Sequence, residues 1–191
     1  EPFDIVEASY LSELVFRDFP LGSIHILATN VVATGFDGHL VAFYDGHYFL
    51  APDNGILSLI FGKEYSGYRR IRTNGYVEKI QNVYIPFVKN WESGVPLEDL
   101  TDQAHDINIK VRIKPVYDAT ELRGKILFVD HFGNAYTNIS KEDFNRFVNG
   151  DEYKIVLSRY NSISKVSTYF GEVQNGDALC YFTDHGYLVI G

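Results

Sequence analysis

The spacing of apolar residues near the start of the chain predicts a helix followed by strands. Asp4 and Glu7 fit a capping box. The apolar residues behind them recur at helical spacing: Val6, Tyr10, Leu11, Leu14 and Val15. Pro20-Leu-Gly22 predicts the end of this helix. Apolar runs at 23–29, 40–44 and 47–51 predict strands, and Asp45-Gly46 is a strong signal for a hairpin between the last two.

Two further helices are predicted before residue 100. The run APDNGILSLIF turns at 52–55 and continues with residues that favour a short helix. Pro86 is expected at the start of another helix, which carries Phe87, Val88 and Trp91 and stops at Gly94. Helices that alternate with strands in this way are typical of an α/β domain.

The second half of the chain is dominated by predicted strands. INIKVRIK at 107–114 alternates apolar and polar residues for its whole length, which predicts a half-buried strand. Further strands are predicted in KILFVD, AYTNI, EYKIVLSR, KVSTYF, DALCYF and YLVI. One helix interrupts them at 141–148; Ser140 and Asp143 form its capping box, and Asn149-Gly150 ends it.

A polar stretch at 101–106 is predicted to separate two domains. Residues 1–105 would form an α/β domain with a mixed sheet and helices. Residues 106–191 would form a small all-β domain, either a barrel or a sandwich.

Composition narrows the classes of function. A formal net charge of −8 argues against a nucleic-acid partner, which would require a basic face. Cys180 is the single cysteine of the 191 residues, so an intrachain disulfide is impossible. No apolar run reaches the length of about 18 residues that a membrane helix needs. Because the chain contains no Met and begins at Glu1-Pro2, we expect it to be an interior portion of a longer protein, which leaves a signal peptide open.

The stretch FVDHFGNAYTNIS at 128–140 carries more polar groups than a hairpin requires. In the simplest interpretation Gly133 supplies a positive φ, and Asp130 and Asn134 bond to their own backbone. In the alternative interpretation the corner is a binding site. Asp130 would be an anion for an ammonium group, Asn134 would offer a donor and an acceptor to a heterocycle, and Tyr136 would form an aromatic wall.

Several separated segments resemble one family, in the same order. FRDFPLGSIHI resembles its "FP-x-G-T-I-H" strand entry, and GHYFLAPDNGILSLI its "APDNG" segment. VYIPFVKNWESGVPLEDL resembles its helix ending in "GVPLEDL", GKILFVDHFGNAYTNI its "FGN-x-x-TNI" motif, and GYLVI a strand near its C-terminal end. The family is that of the S-adenosyl-L-methionine (SAM) hydroxide adenosyltransferases, or SAM hydrolases, which share a fold with the SAM-dependent fluorinase and chlorinase. The family's first strand, with an Asp that holds the ribose hydroxyls, would lie upstream of Glu1.

The resemblance implies a substitution reaction. Water, as hydroxide, would attack the ribose C5′ of SAM, and methionine would leave as a neutral thioether, giving adenosine and L-methionine. No cofactor or metal is implied, because SAM is itself the substrate. Asp130 would match the family's contact to the methionine ammonium, and Asn134 its contact to the adenine edge. The resemblance also implies a homotrimer whose sites lie between the first domain of one subunit and the barrel of the next, and we expect a cytoplasmic protein.

The chain departs from the family's pattern where the water should be activated. Asn30 in ATNVVAT stands where the family has a catalytic Asp, and GFDGH at 35–39 lacks the following Arg. Lys79 stands where the family has a His. Asp184 stands where a Ser binds the methionine carboxylate, which would place two anions together unless Asp184 turns away or His185 is charged.

Three hypotheses fit these observations. The protein is a divergent SAM hydrolase with a rebuilt water site that draws on Lys79 and His39, or it binds SAM or adenosine without turnover. Alternatively, it is a structural or partner-binding trimer, because a fold does not dictate an activity.

Overall fold

The computed structural model describes residues 4–30, 38–73, 80–158 and 161–191. The chain divides into two compact units, Glu1–Arg112 and Ile113–Gly191. Among the described residues, no helix combines the length and the apolar character that crossing a membrane would require.

Unit 1 begins with α1 (Ile5–Val15), followed by a 3₁₀ turn at Phe16–Asp18. The predicted cap is confirmed, because Oδ1 of Asp4 accepts hydrogen bonds from the backbone N–H groups of Val6 (2.7 Å) and Glu7 (3.2 Å). Buried Tyr10 and Leu14 lie on the inner face of the helix.

A mixed sheet of five strands forms the centre of unit 1. Its strands are β1 (Ile24–Ile26), β2 (His39–Tyr44), β3 (His47–Pro52), β4 (Arg69–Ile71) and β5 (Thr101–Gln103). Their order is β1-β3-β2-β4-β5, with β1 parallel to β3 and the other neighbours antiparallel. The hairpin prediction is confirmed: Asp45 (φ 49°) and Gly46 (φ 82°) have the positive φ angles of a type I′ turn.

Helices cover both faces of this sheet. Phe49 and Ala51 pack with Phe16, Ile56 and Leu57, the last two from α2 (Ile56–Phe61). The opposite face packs against α3 (Gln81–Glu92), while α4 (Leu97–Leu100) leads into β5. The α/β prediction for this part of the chain therefore agrees with the structure.

The predicted start of α3 at Pro86 is wrong, because the helix begins at Gln81 and Pro86 lies inside it. A proline there cannot donate to the carbonyl four residues earlier, that of Asn82. Both Asn82 and Pro86 are exposed, so water can satisfy this carbonyl. Meanwhile buried Val83, Tyr84 and Phe87 hold the helix on the sheet.

The predicted strand at 107–114 is also absent. This segment is held by irregular hydrogen bonds: the N–H of Lys110 donates to Oγ of Ser58 (2.8 Å), and Nε of Arg112 donates to the carbonyl of Leu59. Its apolar residues Ile109 and Val111 are exposed. The alternating pattern therefore does not correspond to pairing with a neighbouring strand.

Unit 2 contains a four-stranded antiparallel sheet of β8 (Ile126–Val129), β9 (Ala135–Ser140), β12 (Cys180–Phe182) and β13 (Tyr187–Ile190). The order of these strands is β12-β13-β9-β8. Two separate ribbons pair β6 (Val116–Tyr117) with β7 (Leu122–Arg123), and β10 (Ile155–Val156) with β11 (Ser162–Ile163).

The barrel or sandwich predicted for this part is not confirmed, since the described strands form separate sheets without a closed ladder. Within the described part of EYKIVLSR, residues 152–158, two residues are paired as β10. KVSTYF contributes a single bridge, from Val166 to Cys180, and ends in the 3₁₀ turn Phe170–Glu172. The predicted helix is confirmed as α5 (Lys141–Val148), where Oγ of Ser140 accepts from the N–H of Asp143 (3.0 Å).

Candidate functional site

The β8–β9 corner of unit 2 is a tight turn that Asp130 and Asn134 close. The N–H of Asp130 donates to the carbonyl of Asn134 (3.0 Å), and the N–H of Gly133 donates to the carbonyl of Asp130 (3.1 Å). Gly133 has φ 94°, a conformation that a residue with a Cβ adopts only with strain. The structure therefore brings the two predicted binding residues to the ends of one turn.

The side chains of Asp130 and Asn134 also bond to each other. Oδ1 of Asp130 accepts from the N–H groups of Phe132 and Asn134 (2.9 Å each), and Oδ2 accepts from Nδ2 of Asn134 (2.9 Å). A carboxylate offers about four acceptor positions and a primary amide two donors and one acceptor oxygen. The turn uses three acceptor positions of the Asp130 carboxylate and one N–H of the Asn134 amide. Both side chains therefore keep hydrogen-bonding capacity for another group.

These contacts fix the charge state of Asp130. Its desolvation favours the neutral acid, but the hydrogen bonds from the Asn134 amide and from the backbone N–H groups of Asn134 and Phe132 outweigh that effect. The pKa of Asp130 is therefore lowered, and the side chain is an anion at neutral pH.

Aromatic residues surround this corner. Tyr136 stacks on Phe128, with ring centroids 4.4 Å apart and planes 10° apart. Burial raises the pKa of Tyr181, as do the charge of Asp130 and a hydrogen bond with Tyr136. Phe170 packs edge-on against Tyr181, with centroids 5.2 Å apart. The sequence predicted the aromatic role of Tyr136 alone, since Phe170 and Tyr181 lie far along the chain and in no motif.

A second group of polar residues lies in unit 1, at the edge where the parallel strands β1 and β3 end. Nδ2 of Asn54 donates to the carbonyl of Thr29 (2.9 Å), while Oδ1 of Asn54 accepts from the N–H of Ile56 (3.1 Å). Asn30 follows with φ 54°, a left-handed conformation that asparagine tolerates. Asn54 thus connects the end of β1 to the start of α2.

Asp53 holds three segments together at the same edge. It is 1% exposed; its Oδ2 accepts from Nη2 of Arg70 (3.0 Å), and its Oδ1 accepts from the N–H of Asn108 (2.8 Å). Arg70 also donates to the carbonyl of Asp106 (2.7 Å). These contacts agree with a role for Asp53 and Asn54 in the shape of this edge.

His39, the first residue of β2, lies opposite Pro52 at this edge. Its Nδ1 and the hydroxyl of Tyr84 are 3.0 Å apart, and the two rings meet edge to face. Burial lowers the pKa of His39 and raises that of Tyr84, which keeps both groups neutral near pH 7.

The remaining departures from the family's pattern are only partly described. Lys79 and residues 35–37 of GFDGH lie outside the described residues. Asp184 and His185 are found in the turn between β12 and β13. Within the described ranges, no group of three or more His, Cys, Asp or Glu could hold a metal ion.

Comparison with solved structures identifies the fold class. A conserved uncharacterized protein from Thermotoga maritima matches with a TM-score of 0.79 at 25% identity, covering 100% of this chain and 77% of that chain. A conserved hypothetical protein from Thermus thermophilus matches with a TM-score of 0.71 at 21% identity, covering 99% and 74%. The chain thus shares its mixed α/β architecture with these two proteins.

Family models then identify the particular family. The SAM hydroxide adenosyltransferase N-terminal domain matches residues 1–101, and the C-terminal domain of the same family matches residues 124–191. The chain belongs to the SAM hydroxide adenosyltransferase family. It is also 24% identical to the (R)-S-adenosyl-L-methionine hydrolase of Methanocaldococcus jannaschii, over 100% of this chain and 71% of that protein. The resemblance that the motifs predicted is thereby confirmed.

Proposed function

We propose that the protein binds SAM and hydrolyses it slowly to adenosine and L-methionine, by attack of water on the ribose C5′. Both halves of the chain match domains of the SAM hydroxide adenosyltransferase family, and a curated SAM hydrolase is similar over the whole length of this chain. The observation that carries the proposal is the Asp130–Asn134 pair, a fixed carboxylate beside an amide, both with capacity left for a ligand.

In this proposal Asp130 accepts a hydrogen bond from the methionine ammonium, and Asn134 bonds to the edge of the adenine. An ammonium group needs an anion, and the lowered pKa of Asp130 keeps it charged at neutral pH. The contacts within the turn hold both side chains before the ligand arrives, which reduces the entropy lost on binding. Tyr136, fixed by its stacking on Phe128, supplies an apolar wall for the nucleoside.

The second candidate function is binding of SAM or adenosine without turnover. Asn30 favours it, because an uncharged amide replaces the acid at that position and cannot serve as a general base. Under this alternative the Asp130 and Asn134 contacts are kept, and only the attack of water is lost.

Calorimetry with SAM and with adenosine tests the binding site. We expect Asp130→Ala and Asn134→Ala each to weaken binding roughly tenfold to a hundredfold, the loss expected for a hydrogen bond that involves a charged group or leaves a buried polar atom unpaired. Asp177→Ala, at an exposed carboxylate elsewhere in unit 2, is the matched control and should bind like the wild type. Unchanged affinity in both corner variants would refute the assignment.

Chromatographic detection of adenosine distinguishes the two functions. Adenosine that forms above the rate without protein indicates hydrolysis, whereas binding without adenosine indicates the second candidate. If neither ligand binds, the structural or partner-binding hypothesis is the one that survives.

We also propose that the chain assembles as a homotrimer, as the family resemblance implies. Light scattering coupled to size-exclusion chromatography measures this directly, because one chain has a mass of 21.8 kDa. A mass near that of a single chain at micromolar concentration would contradict the proposal.

A further inference from the structure

The His39–Tyr84 pair has three features that a purely structural histidine does not require. His39 lies at a sheet edge, its imidazole is neutral near pH 7, and only one of its two ring nitrogens bonds to Tyr84. His39 lies at the edge of unit 1 where the parallel strands β1 and β3 end. In open α/β sheets, ligands bind beyond the carboxyl ends of parallel strands. Asn30 (φ 54°) and Gly38 (φ 94°) at this edge both have left-handed backbone conformations.

Tyr84 holds the imidazole of His39 through one of its two ring nitrogens. Nδ1 lies 3.0 Å from the Tyr84 hydroxyl, and Tyr84 is itself 2% exposed on the buried face of α3. The other nitrogen, Nε2, makes no hydrogen bond with any described residue, and it is not among the fully buried polar atoms that lack a partner. The imidazole is therefore oriented on one side and available on the other.

Two of the charged groups that the structure describes at this edge compensate each other. Asp53 and Arg70 form an ion pair at 3.0 Å, and Tyr84 on α3 is a neutral phenol. Burial is the cause that lowers the pKa of His39. We therefore expect a neutral imidazole near pH 7, which is the state required of a base.

We propose that His39 is a catalytic residue of the SAM hydrolysis proposed above, on which this inference rests, and that Tyr84 is its positioning residue. The hydroxyl of Tyr84 accepts from Nδ1–H, which leaves the lone pair of Nε2 to accept a proton from the attacking water. The water oxygen forms the bond to C5′, and the C5′–S bond breaks with its electron pair going to sulfur. The sulfonium becomes the neutral thioether of methionine, and the proton passes from water to Nε2 and then to solvent.

His39, the first residue of β2, is neither of the two residues, Asn30 and Lys79, that stand at the positions of the family's catalytic Asp and His. The amide of Asn30 cannot serve as a general base, and Lys79 lies outside the described residues. His39 lies on a regular strand whose position is fixed by six paired residues of β3, which favours a well-defined orientation.

The test uses the full chain with SAM as the probe, and compares His39→Gln, Tyr84→Phe and His105→Gln. His105 is an exposed histidine outside the His39–Tyr84 pair, so its variant is the matched control. General-base catalysis contributes about 10²–10⁴-fold. We therefore expect His39→Gln to lower kcat for adenosine formation by about 100-fold or more while the Kd for SAM changes by less than about threefold.

Tyr84→Phe removes only a hydroxyl and keeps the test decisive if His39→Gln unfolds. We expect its kcat to fall about tenfold, with KM nearly unchanged, because the tautomer of His39 is no longer fixed. In the wild type, kcat/KM should fall with acid only below the ordinary histidine pKa of 6.5, and this acid limb should be absent from the residual activity of His39→Gln. Nitrogen NMR of the imidazole should find the proton of the neutral ring on Nδ1.

The outcomes separate the inference from the proposed function. A wild type that makes adenosine, with His39→Gln equally active, overturns the role of His39 and leaves the hydrolase proposal standing. A ring proton on Nε2 in the wild type overturns that role as well. A wild type that makes no adenosine overturns the proposed hydrolysis itself, and the catalytic role of His39 with it.

Discussion

Replacing Asp53 by Ala should destabilise unit 1 far more than the loss of one carboxylate at the surface would. Asp53 is 1% exposed, and its removal takes away the ion-pair partner of Arg70 and the acceptor for the N–H of Asn108. Arg70 is only 27% exposed, and its Nη1 is already buried without a partner. The substitution therefore leaves a partly buried cation that keeps its bond to the carbonyl of Asp106.

The expected magnitude follows from these contacts. Breaking a buried ion pair by removing one partner costs about 3–5 kcal/mol. Because Arg70 keeps its bond to Asp106 and some exposure to water, we expect the lower end, about 3 kcal/mol. A domain of this size is stable by about 5–15 kcal/mol, so the variant would lose a large share of its stability. Because 1 kcal/mol shifts Tm by about 2–8 °C over domains of roughly 60–250 residues, Tm should fall by about 6 °C or more.

Urea unfolding followed by circular dichroism, with a thermal scan beside it, measures this change. The matched control is Asp102→Ala, which breaks the ion pair with Arg72 in the same unit. Asp102 is 62% exposed and Arg72 is 52% exposed, so the control should unfold close to the wild type. If Asp53→Ala stays within about 1 kcal/mol of the wild type, the view that Asp53 determines the shape of this edge is wrong.

Three other perturbations test separate parts of the structure. Burial and the neighbouring His47 lower the pKa of His25, so the unfolded chain binds more protons in weak acid than the folded chain does. The free energy of unfolding should therefore fall as pH decreases from about 6.5 through the folded-state pKa. The variant His25→Gln should flatten this pH dependence in urea titrations. Gly133→Ala should cost about 1–2 kcal/mol of stability and weaken SAM binding in calorimetry, because φ 94° is unfavourable for a residue with a Cβ. The control is Gly176→Ala, at φ 95°, where an added Cβ also meets no atom within 4 Å. This control should lose stability by the same strain but keep its affinity for SAM. Phe144→Ala should destabilise the protein by about 3–5 kcal/mol in the same titrations, since this buried ring packs on Tyr153 and Phe182; near-wild-type unfolding would show that α5 contributes little to the core.

Local signals predicted much of the secondary structure. The Asp4 cap, the Asp45-Gly46 turn and α5 each depend on residues a few positions apart, and each is present. The start of α3 was missed because Pro86 is also compatible with a helix interior when the freed carbonyl faces water and the apolar face is buried. That balance depends on packing against the sheet, which no short window contains.

The second half of the chain shows more clearly that a short window of sequence does not determine long-range pairing. The strands of INIKVRIK and KVSTYF were predicted from alternation or apolar content alone, yet a strand also needs a partner of matching register. In the structure, the backbone of Lys110 and the side chain of Arg112 bond to Ser58 and Leu59 instead. Likewise, Tyr181 beside Tyr136 and Asp130 could not be predicted, because their proximity comes from the order of strands in the sheet.

Under the proposed function, the contacts at the two polar regions explain how the Asp130–Asn134 corner keeps its shape although the residues proposed to activate water differ from the family's pattern. Asp130 and Asn134 satisfy each other within one turn, so the corner needs no ligand to keep its shape. At the edge of unit 1, Asn54 holds the end of β1 through a backbone carbonyl, that of Thr29. This contact does not depend on which side chain follows at position 30, so Asn30 in place of an acid leaves Thr29 and the end of β1 held. Affinity and turnover should therefore respond to different substitutions: changes at the corner should alter the Kd for SAM, and changes at His39 should alter the rate at which adenosine forms.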